Sequence, residues 1–254
     1  MKIWIQENEE ENGKEAAIKG GTFIKEAINQ RGSATIILAT GTSQFHMLQH
    51  LIAMDIDWSR VEVFHLDEYV GLSDQHPASF RKYLRERFEQ RVKNLKRINY
   101  INGDAPDLST ELGRLNDLLN RVTIDVAFVG VGENGHLAFN DPPADFNTQT
   151  PYLVVTLDQA CRRQQMGEGW FPSIDDVPPQ AISMGIRQIL KSRVIINTVP
   201  GSRKSKAVAA FVLGKVDPHC PASILQTHPN CYCFFDREAV AELCFKSPQK
   251  TIGF

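Results

Sequence analysis

Short apolar runs alternate with segments of helical periodicity along most of the chain, and this alternation constrains the fold more than any other feature. The runs have the length and flanking turn residues of buried strands; they cover residues 34–39, 61–66, 125–130, 152–157, 193–199 and 231–235. The segments between them place apolar residues three or four positions apart, as helices do; they cover residues 44–53, 78–89, 110–120 and 202–213. This pattern predicts an α/β fold, a doubly wound, mostly parallel, Rossmann-like sheet with helices on both faces.

The length and the charge balance limit the organisation and the partners. No repeat, low-complexity tract or Pro/Gly/Ser-rich linker divides the 254 residues, so we predict a single domain over 1–254. Lys and Arg number 28 against 30 Asp and Glu, a net charge of −2, whereas nucleic-acid and membrane-surface binders usually carry a basic excess. We expect no nucleic-acid and no membrane partner, and any anionic ligand should be small and held by a local cluster.

Cysteine usage and the N-terminus indicate the compartment. The chain contains no apolar run of membrane-spanning length, and we expect no signal or transit peptide. Its five cysteines are an odd number without a CxxC pair, which favours a reducing, cytoplasmic setting. Cys231 and Cys233 share one face of a predicted strand and are expected to pack in the core.

Two turns at strand ends are candidates for binding an anion. In a doubly wound sheet, ligands bind outside the carboxyl ends of the strands. The first such turn, Thr40-Gly41-Thr42-Ser43, offers a glycine, hydroxyls and helix N–H groups that can cradle a phosphate. The second, Gly201–Lys204, places a cation at a helix start, where a nearby negative group would stabilise it, and Lys204 is our candidate phosphate cation. The alternative for the first is an ordinary strand-to-helix turn with a Ser/Thr N-cap, and for the second it is a solvated basic first turn of a helix.

Candidate acid–base groups follow two other strands. Asp67 and Glu68 come directly after residues 61–66, where a general base or a helix cap would lie. After 125–130 the chain is rich in glycine, including Gly132, which frees the backbone to approach a ligand. It places His136 among acids and amides that can orient its ring.

The sequence indicates neither a metal nor an organic cofactor. The histidines show no HxH or HExxH spacing, so we predict no metal site. The pattern Gly130-x-Gly132-x-x-Gly135 lacks a following acid for a ribose, which argues against a dinucleotide. A phosphosugar site fits these segments better.

Taken together, these segments resemble the glucosamine-6-phosphate deaminase/isomerase family, which shares its fold with 6-phosphogluconolactonases. The matching segments follow the family order along nearly the whole chain: residues 39–42, 66–72, 102–107, 130–141, 201–204 and 225–229. Asp-Glu-Tyr-Val-Gly-Leu at 67–72 and Gly-His-Leu-Ala-Phe-Asn at 135–140 are together the most specific.

The resemblance implies a role for each candidate. The turn Thr40–Ser43 and Lys204 would hold the phosphate of an amino-sugar phosphate, most simply glucosamine 6-phosphate. Asp67 would move a proton from C2 to C1, and His136 would open the sugar ring. Loss of the amino group would then yield fructose 6-phosphate and ammonia without a cofactor.

The chain departs from the family pattern beside His136. Asn134 and Asp141 stand where many members have Asp and Glu. We expect Asn134 to bond His136 without stabilising its charge. Asp141, one methylene shorter, should reach the ring only through water.

A second departure lies in the segment that the resemblance implies is a lid, at about 158–182. Members usually carry a phosphate-binding arginine just before an aromatic pair, whereas here Gly-Glu-Gly precedes Trp170-Phe171. Arg162 or Arg163 would have to substitute, and Arg163 is our candidate. Residues 144–153 lack the Ser and basic residues of allosterically activated members, so we predict no such activator site.

Alternative functions stay open at this point. A 6-phosphogluconolactonase, or an isomerase of another sugar phosphate such as galactosamine 6-phosphate, would fit the altered acids around His136. A non-catalytic sugar-phosphate sensor is a further alternative, although the first predicted strand begins at Met1 with no DNA-binding helix-turn-helix before it. The family resemblance allows a homo-oligomer as well as a monomer.

Overall fold

Seven parallel strands form the central sheet of the computed structural model, which describes residues 1–246. In spatial order they are β1 (Lys2–Gln6), β10 (Cys231–Asp236), β9 (Val194–Val199), β6 (Val126–Val129), β2 (Ala34–Leu38), β3 (Val61–His65) and β5 (Arg97–Asn99). From β2 the chain continues to β3 and β5 on one side, while β6, β9 and β10 lie on the other. The crevice between β2 and β6 is therefore the topological switch point, where α/β proteins bind ligands.

A second, antiparallel sheet of three strands lies beside the first. It consists of β4 (Asp67–Tyr69), β8 (Gln180–Met184) and β7 (Tyr152–Thr156). The sequence prediction treated 152–157 as a further strand of the parallel sheet, and that was wrong. A short buried run looks the same in either sheet, because its periodicity does not record the direction of its partner. Since β4 follows β3 after one residue, Asp67 lies where the chain passes between the sheets.

Eight helices surround the sheets in the described part of the chain. They are α1 (Glu9–Arg31), α2 (Phe45–Ile52), α3 (Phe80–Leu84), α4 (Leu108–Asn120), α5 (Gln159–Gly167), α6 (Ile186–Leu190), α7 (Ser205–Leu213) and α8 (Ala241–Lys246). The four predicted helices correspond to α2, to α3 with a wider helical turn at Arg85–Glu89, to α4, and to α7 with a preceding short turn at Ser202–Lys204. Helix α1 was missed, because its buried face consists largely of alanine and glycine rather than large apolar residues.

The core lies on both faces of the parallel sheet. One face packs against α1 and α2 through residues such as Ile24, Met47 and Phe128. The other packs against α4, α6 and α7 through residues such as Leu115 and Phe211, and it includes Cys231 and Cys233 as predicted. The helices of the described chain include none long and apolar enough to cross a membrane.

Helices α1 and α2 touch at Gly13, and this contact yields a stability prediction. A β-carbon at Gly13 would lie 2.5 Å from His46 Cβ and 2.6 Å from the backbone nitrogen of Met47. We expect Gly13→Ala to lower the free energy of unfolding by about 1–3 kcal/mol through overpacking against backbone. Urea unfolding of both proteins measures the difference.

Gly21→Ala, on the same helix, is the matched control. There the added carbon would overlap the tip of the Met54 side chain, which is able to rotate away, and would make an ordinary contact of 3.5 Å with Ile56 Cδ1. Alanine also favours a helix over glycine by about 0.8–1 kcal/mol, so stability should not fall. Equal losses in the two variants would contradict the role of the α1–α2 contact.

Candidate active site

A polar pocket lies over the carboxyl ends of β2, β3, β6 and β9, and it gathers most of the predicted site residues. Those that line it are Thr40, Gly41, Ser43, Asp67, Gly132, His136 and Lys204. Thr42 instead faces an adjoining cleft that shares Ser43 and Lys204 with this pocket. The remaining predicted residues, Asn134, Asp141 and Arg163, do not line the pocket.

The turn after β2 is fixed by hydrogen bonds at both ends. Gly41 has φ 100°, a conformation that favours glycine, and its carbonyl accepts from Tyr83 Oη at 3.2 Å. Gln44 Nε2 donates to the Thr198 carbonyl of β9 at 3.2 Å and to Ser43 Oγ at 3.1 Å. The turn is thus tied to the neighbouring strand, with its glycine and hydroxyl groups along the pocket wall.

The turn after β9 contributes a side chain rather than a backbone cradle. The Gly201 N–H donates to both carboxylate oxygens of Asp236, at 3.1 and 3.0 Å, so this group is already occupied. Lys204 is only 8% exposed and lines the pocket. Burial lowers the pKa of Lys204, although Glu168 and Glu133 partly oppose that shift. Within residues 1–246, none of the ion pairs closer than 4.0 Å involves Lys204.

Asp67 is the buried carboxyl of the pocket. It is 7% exposed, and burial together with the charge of Glu68 raises its pKa to about 8. A carboxyl group with such a pKa exchanges a proton near neutrality, as a general base requires.

Glu68, next to Asp67, has a structural role. Its carboxylate accepts from the backbone N–H groups of Tyr69, Phe80 and Arg81 at 2.9–3.2 Å and from Ser79 Oγ at 2.9 Å. It therefore caps the first turn of α3. In the sequence, Asp67 and Glu68 were equally suitable as a general base. In the structure, Asp67 lines the pocket, whereas Glu68 is buried at the start of α3.

His136 is oriented directly by Asp141. Nδ1 of His136 lies 3.1 Å from Asp141 Oδ1, so the expectation of a bridging water was wrong. The path of the loop brings Asp141 close to His136 and so compensates for the shorter side chain. The position of Asp141 is fixed by a second hydrogen bond, which its Oδ2 accepts from the Asp158 N–H at 3.0 Å. Burial would raise the pKa of Asp141, but the hydrogen bonds from His136 and Asn134 outweigh it and hold the pKa below its ordinary value.

Asn134 acts on Asp141 and on the backbone, not on the imidazole ring. Its Nδ2 donates to Asp141 Oδ1 at 3.0 Å, and its Oδ1 accepts from the His136 backbone N–H at 3.0 Å. The expected hydrogen bond between Asn134 and His136 is therefore present, and it is made by the backbone N–H of the histidine. Because Nδ1 of His136 faces Asp141, Nε2 is the nitrogen available to a ligand.

Gly132 leaves space for the imidazole ring of His136, which packs against its backbone. A β-carbon at this position would overlap the imidazole ring of His136. The close approach that the sequence suggested at Gly132 is therefore, in this structure, an approach to the imidazole.

One grouping near His136 carries potential metal ligands. Single ligand atoms of His136, Asp141 and Cys161 all lie within 4.8 Å of one another. The imidazole and carboxylate are already joined by a hydrogen bond, and burial with nearby carboxylates raises the pKa of the Cys161 thiol. The spacing rules missed this grouping because its members come from two separate segments.

The arginines of the predicted lid lie away from the pocket. Arg162 donates to the carbonyls of Ile174 and Val177, at 2.7 and 2.9 Å, and so holds the loop after α5 in place. Arg163 is exposed and donates to Gln159 Oε1 at 2.9 Å. The geometry gives no support to Arg163 as a phosphate ligand.

Three other lid residues line the pocket and were not singled out from the sequence. Gln164 accepts from the Glu133 N–H at 2.8 Å, and Gln165 accepts from Tyr69 Oη at 2.8 Å. The third is Glu168, at the end of α5. Polar residues on a short helix look like a solvated face, so only the position of α5 shows their direction.

The remaining histidines near the site are structural. Burial lowers the pKa of His65 to about 3, and its Nε2 accepts from the Ile101 N–H at 2.9 Å. His76 stacks on Phe171 with ring centroids 5.5 Å apart. His228 is buried, with Nε2 2.8 Å from the Ser192 carbonyl.

A doubly wound sheet with a polar pocket at its switch point places the chain among the α/β proteins that bind a small ligand at the carboxyl edge of the sheet. Within that class, the chain belongs to the family described as glucosamine-6-phosphate isomerases/6-phosphogluconolactonase, whose model matches residues 7–233.

The chain resembles individual relatives and solved structures along nearly its whole length. The chain is 38% identical over 244 residues to a glucosamine-6-phosphate deaminase of Streptococcus sanguinis, with 96% of this chain and 99% of the relative covered. It is 35% identical to one of Lactobacillus delbrueckii subsp. bulgaricus, covering 96% and 100%. A solved monomeric glucosamine-6-phosphate deaminase superposes with a TM-score of 0.86 at 33% identity, covering 95% and 99%. A putative 6-phosphogluconolactonase of Neisseria gonorrhoeae, with TM-score 0.73 and 18% identity over 93% and 100%, shares the fold.

Proposed function

We propose that this protein converts glucosamine 6-phosphate to fructose 6-phosphate and ammonia. The observation that carries the proposal is the meeting of Asp67, His136 and Lys204 in one pocket, with Asp141 bonded to the far side of the imidazole. The likeness to named deaminases along the full chain supports the same substrate. We further propose that one domain carries this activity, with residues 158–182 as its lid.

Phosphate binding would orient the sugar. The turn Thr40–Ser43 and the Lys204 ammonium would hold the 6-phosphate at one end of the pocket. Because the phosphate takes no part in the chemistry, its binding free energy serves to align C1 and C2 with the reacting groups.

His136 would open the pyranose ring. Its Nε2 transfers the proton of the C1 hydroxyl to the ring oxygen, which gives the open-chain aldehyde. Asp141 accepts from Nδ1–H throughout and stabilises the imidazolium that forms in between.

Asp67 would then carry out the isomerisation. Its carboxylate takes the proton from C2, the electron pair forms an enolamine, and the carboxylic acid returns the proton to C1. The product is the 2-imine of fructose 6-phosphate, which adds water at C2 and releases ammonia.

The three candidate reactions are separated by their products. Purified protein is incubated with glucosamine 6-phosphate, galactosamine 6-phosphate and 6-phosphogluconolactone, while ammonia, ketose and acid are followed separately. We expect ammonia and fructose 6-phosphate from the first, with deuterium at C1 when the solvent is ²H₂O. Acid from the lactone without ammonia from either amino sugar would contradict the proposal.

The raised pKa of Asp67 predicts the pH dependence of turnover. Only the ionised carboxylate removes a proton, and its pKa is about 8, so kcat/KM should rise with pH and level off above that value. The profile is measured from pH 7 to 9.5, which lies above the second ionisation of the phosphate at about 6. A profile already flat at pH 7 would contradict a pKa of about 8 for the catalytic base.

The cytoplasm is the compartment we propose. The four cysteines that the structure describes are free thiols, Cys161, Cys220, Cys231 and Cys233. Free thiols in a chain of this size suit a reducing compartment.

A further inference from the structure

A carboxylate stands at the phosphate end of the pocket. Glu168 lines both the pocket and the adjoining cleft, together with Ser43 and Lys204. A β-carbon placed on Gly41 would lie 3.8 Å from Glu168 Oε2, so this carboxylate faces the glycine of the phosphate-binding turn.

Glu168 is held there by neutral donors rather than by a cation. Gln164 Nε2 donates to its Oε1 at 2.9 Å, and Trp170 Nε1 donates to its Oε2 at 3.3 Å. Glu9, Glu133 and Glu238 also line the adjoining cleft. Of the two carboxylates that oppose the lowering of the Lys204 pKa, Glu168 and Glu133, the second is paired with Arg203 at 2.7 Å. Glu168 is therefore the carboxylate whose charge acts on Lys204 without a counter-ion within 4.0 Å among the described residues.

A substrate phosphate in this cradle would bring a second negative charge close to Glu168. Two like charges about 4–5 Å apart repel strongly in a partly buried site, where water screens them poorly. In the empty pocket, by contrast, Glu168 stabilises the charge on the buried Lys204 ammonium.

We propose that Glu168 competes with the phosphate group for Lys204 and thereby limits the affinity of the phosphate subsite. The inference rests on the proposed function only for the identity of the sugar. Inorganic phosphate has no sugar contacts to offset the repulsion, so it binds weakly and the pocket stays open to sugar phosphates.

The test compares the wild-type protein with Glu168→Gln and with Glu26→Gln, an exposed acid of α1, as the control. Isothermal calorimetry with inorganic phosphate probes the subsite without catalysis, and steady-state kinetics with glucosamine 6-phosphate gives KM and kcat. In Glu168→Gln we expect both the phosphate Kd and KM to fall about tenfold, equivalent to about 1.4 kcal/mol. Glu26→Gln should behave as wild type in both measurements.

An unchanged or weaker affinity for phosphate in Glu168→Gln would overturn the inference, as would absence of phosphate binding in both proteins. Glu168→Ala, which also removes the bonds to Gln164 and Trp170, covers the case in which the Gln variant misfolds. If no amino-sugar phosphate is turned over but phosphate still binds more tightly to Glu168→Gln, the proposed function fails while the role of Glu168 stands.

Discussion

Asp67→Asn is expected to lower kcat by about 10³-fold or more, because general-base catalysis contributes about 10²–10⁴-fold and an amide accepts no proton. Asparagine keeps the size of the side chain and removes only the ability to take the C2 proton. Substrate binding should persist, since the turn at Gly41 and Lys204, which we propose to hold the phosphate, are left unaltered.

The measurement is kcat together with the dissociation constant of glucosamine 6-phosphate. Asp117→Asn, an exposed acid of α4, makes the same chemical change away from the pocket and should leave both values unaltered. Turnover of Asp67→Asn at the wild-type rate would remove Asp67 from the role of base.

Thermal stability shows whether Asp67→Asn is folded. The folded pKa of Asp67 is about 8 against an ordinary value of 3.8, so between these values the folded protein keeps a proton that the unfolded chain has lost. Stability contributed by the protonated carboxyl is therefore lost as the pH rises through this window. Asparagine has no such ionisation, and the Tm of the variant should exceed that of wild type at pH 8 and approach it near pH 4.

The parallel sheet and the four loops at its carboxyl edge were predictable because their signals are local. Buried strands read as short apolar runs, and residues such as Gly41, Asp67, His136 and Lys204 follow those runs directly. Once the strands are parallel, their ends must meet at one edge. The meeting of these side chains in one pocket thus follows from the order of elements.

The structural features that were not predicted from the sequence depend on tertiary contacts. The direction of β7, the reach of Asp141 to His136 and the orientation of α5 are all set by segments distant in sequence or by the path of a loop. Glu168 is an example, because the sequence Gly-Glu-Gly does not indicate that the glutamate lines the same pocket as Lys204. Likewise, Glu68 and Asp67 are neighbours whose opposite environments are decided by the position of α3.

His136→Asn is expected to lower kcat by about 10²–10⁴-fold through loss of ring opening. The Asn amide is able to donate to Asp141 as Nδ1–H does, so the loop is retained while the titrating Nε2 disappears. His219→Asn is the matched control, because His219 also pairs with an aspartate, at 3.0 Å from Asp217, but on an exposed loop.

An isotope effect separates this defect from that of Asp67. With His136→Asn, ring opening limits the rate, so substrate carrying deuterium at C2 should react as fast as ordinary substrate. In Asp67→Asn any residual turnover should be limited by C2–H cleavage and show the full isotope effect. A full C2 isotope effect in His136→Asn would instead place His136 in the transfer of the C2 proton. Asp67 and His136 would then act in the same step, and ring opening would no longer be assigned to the histidine.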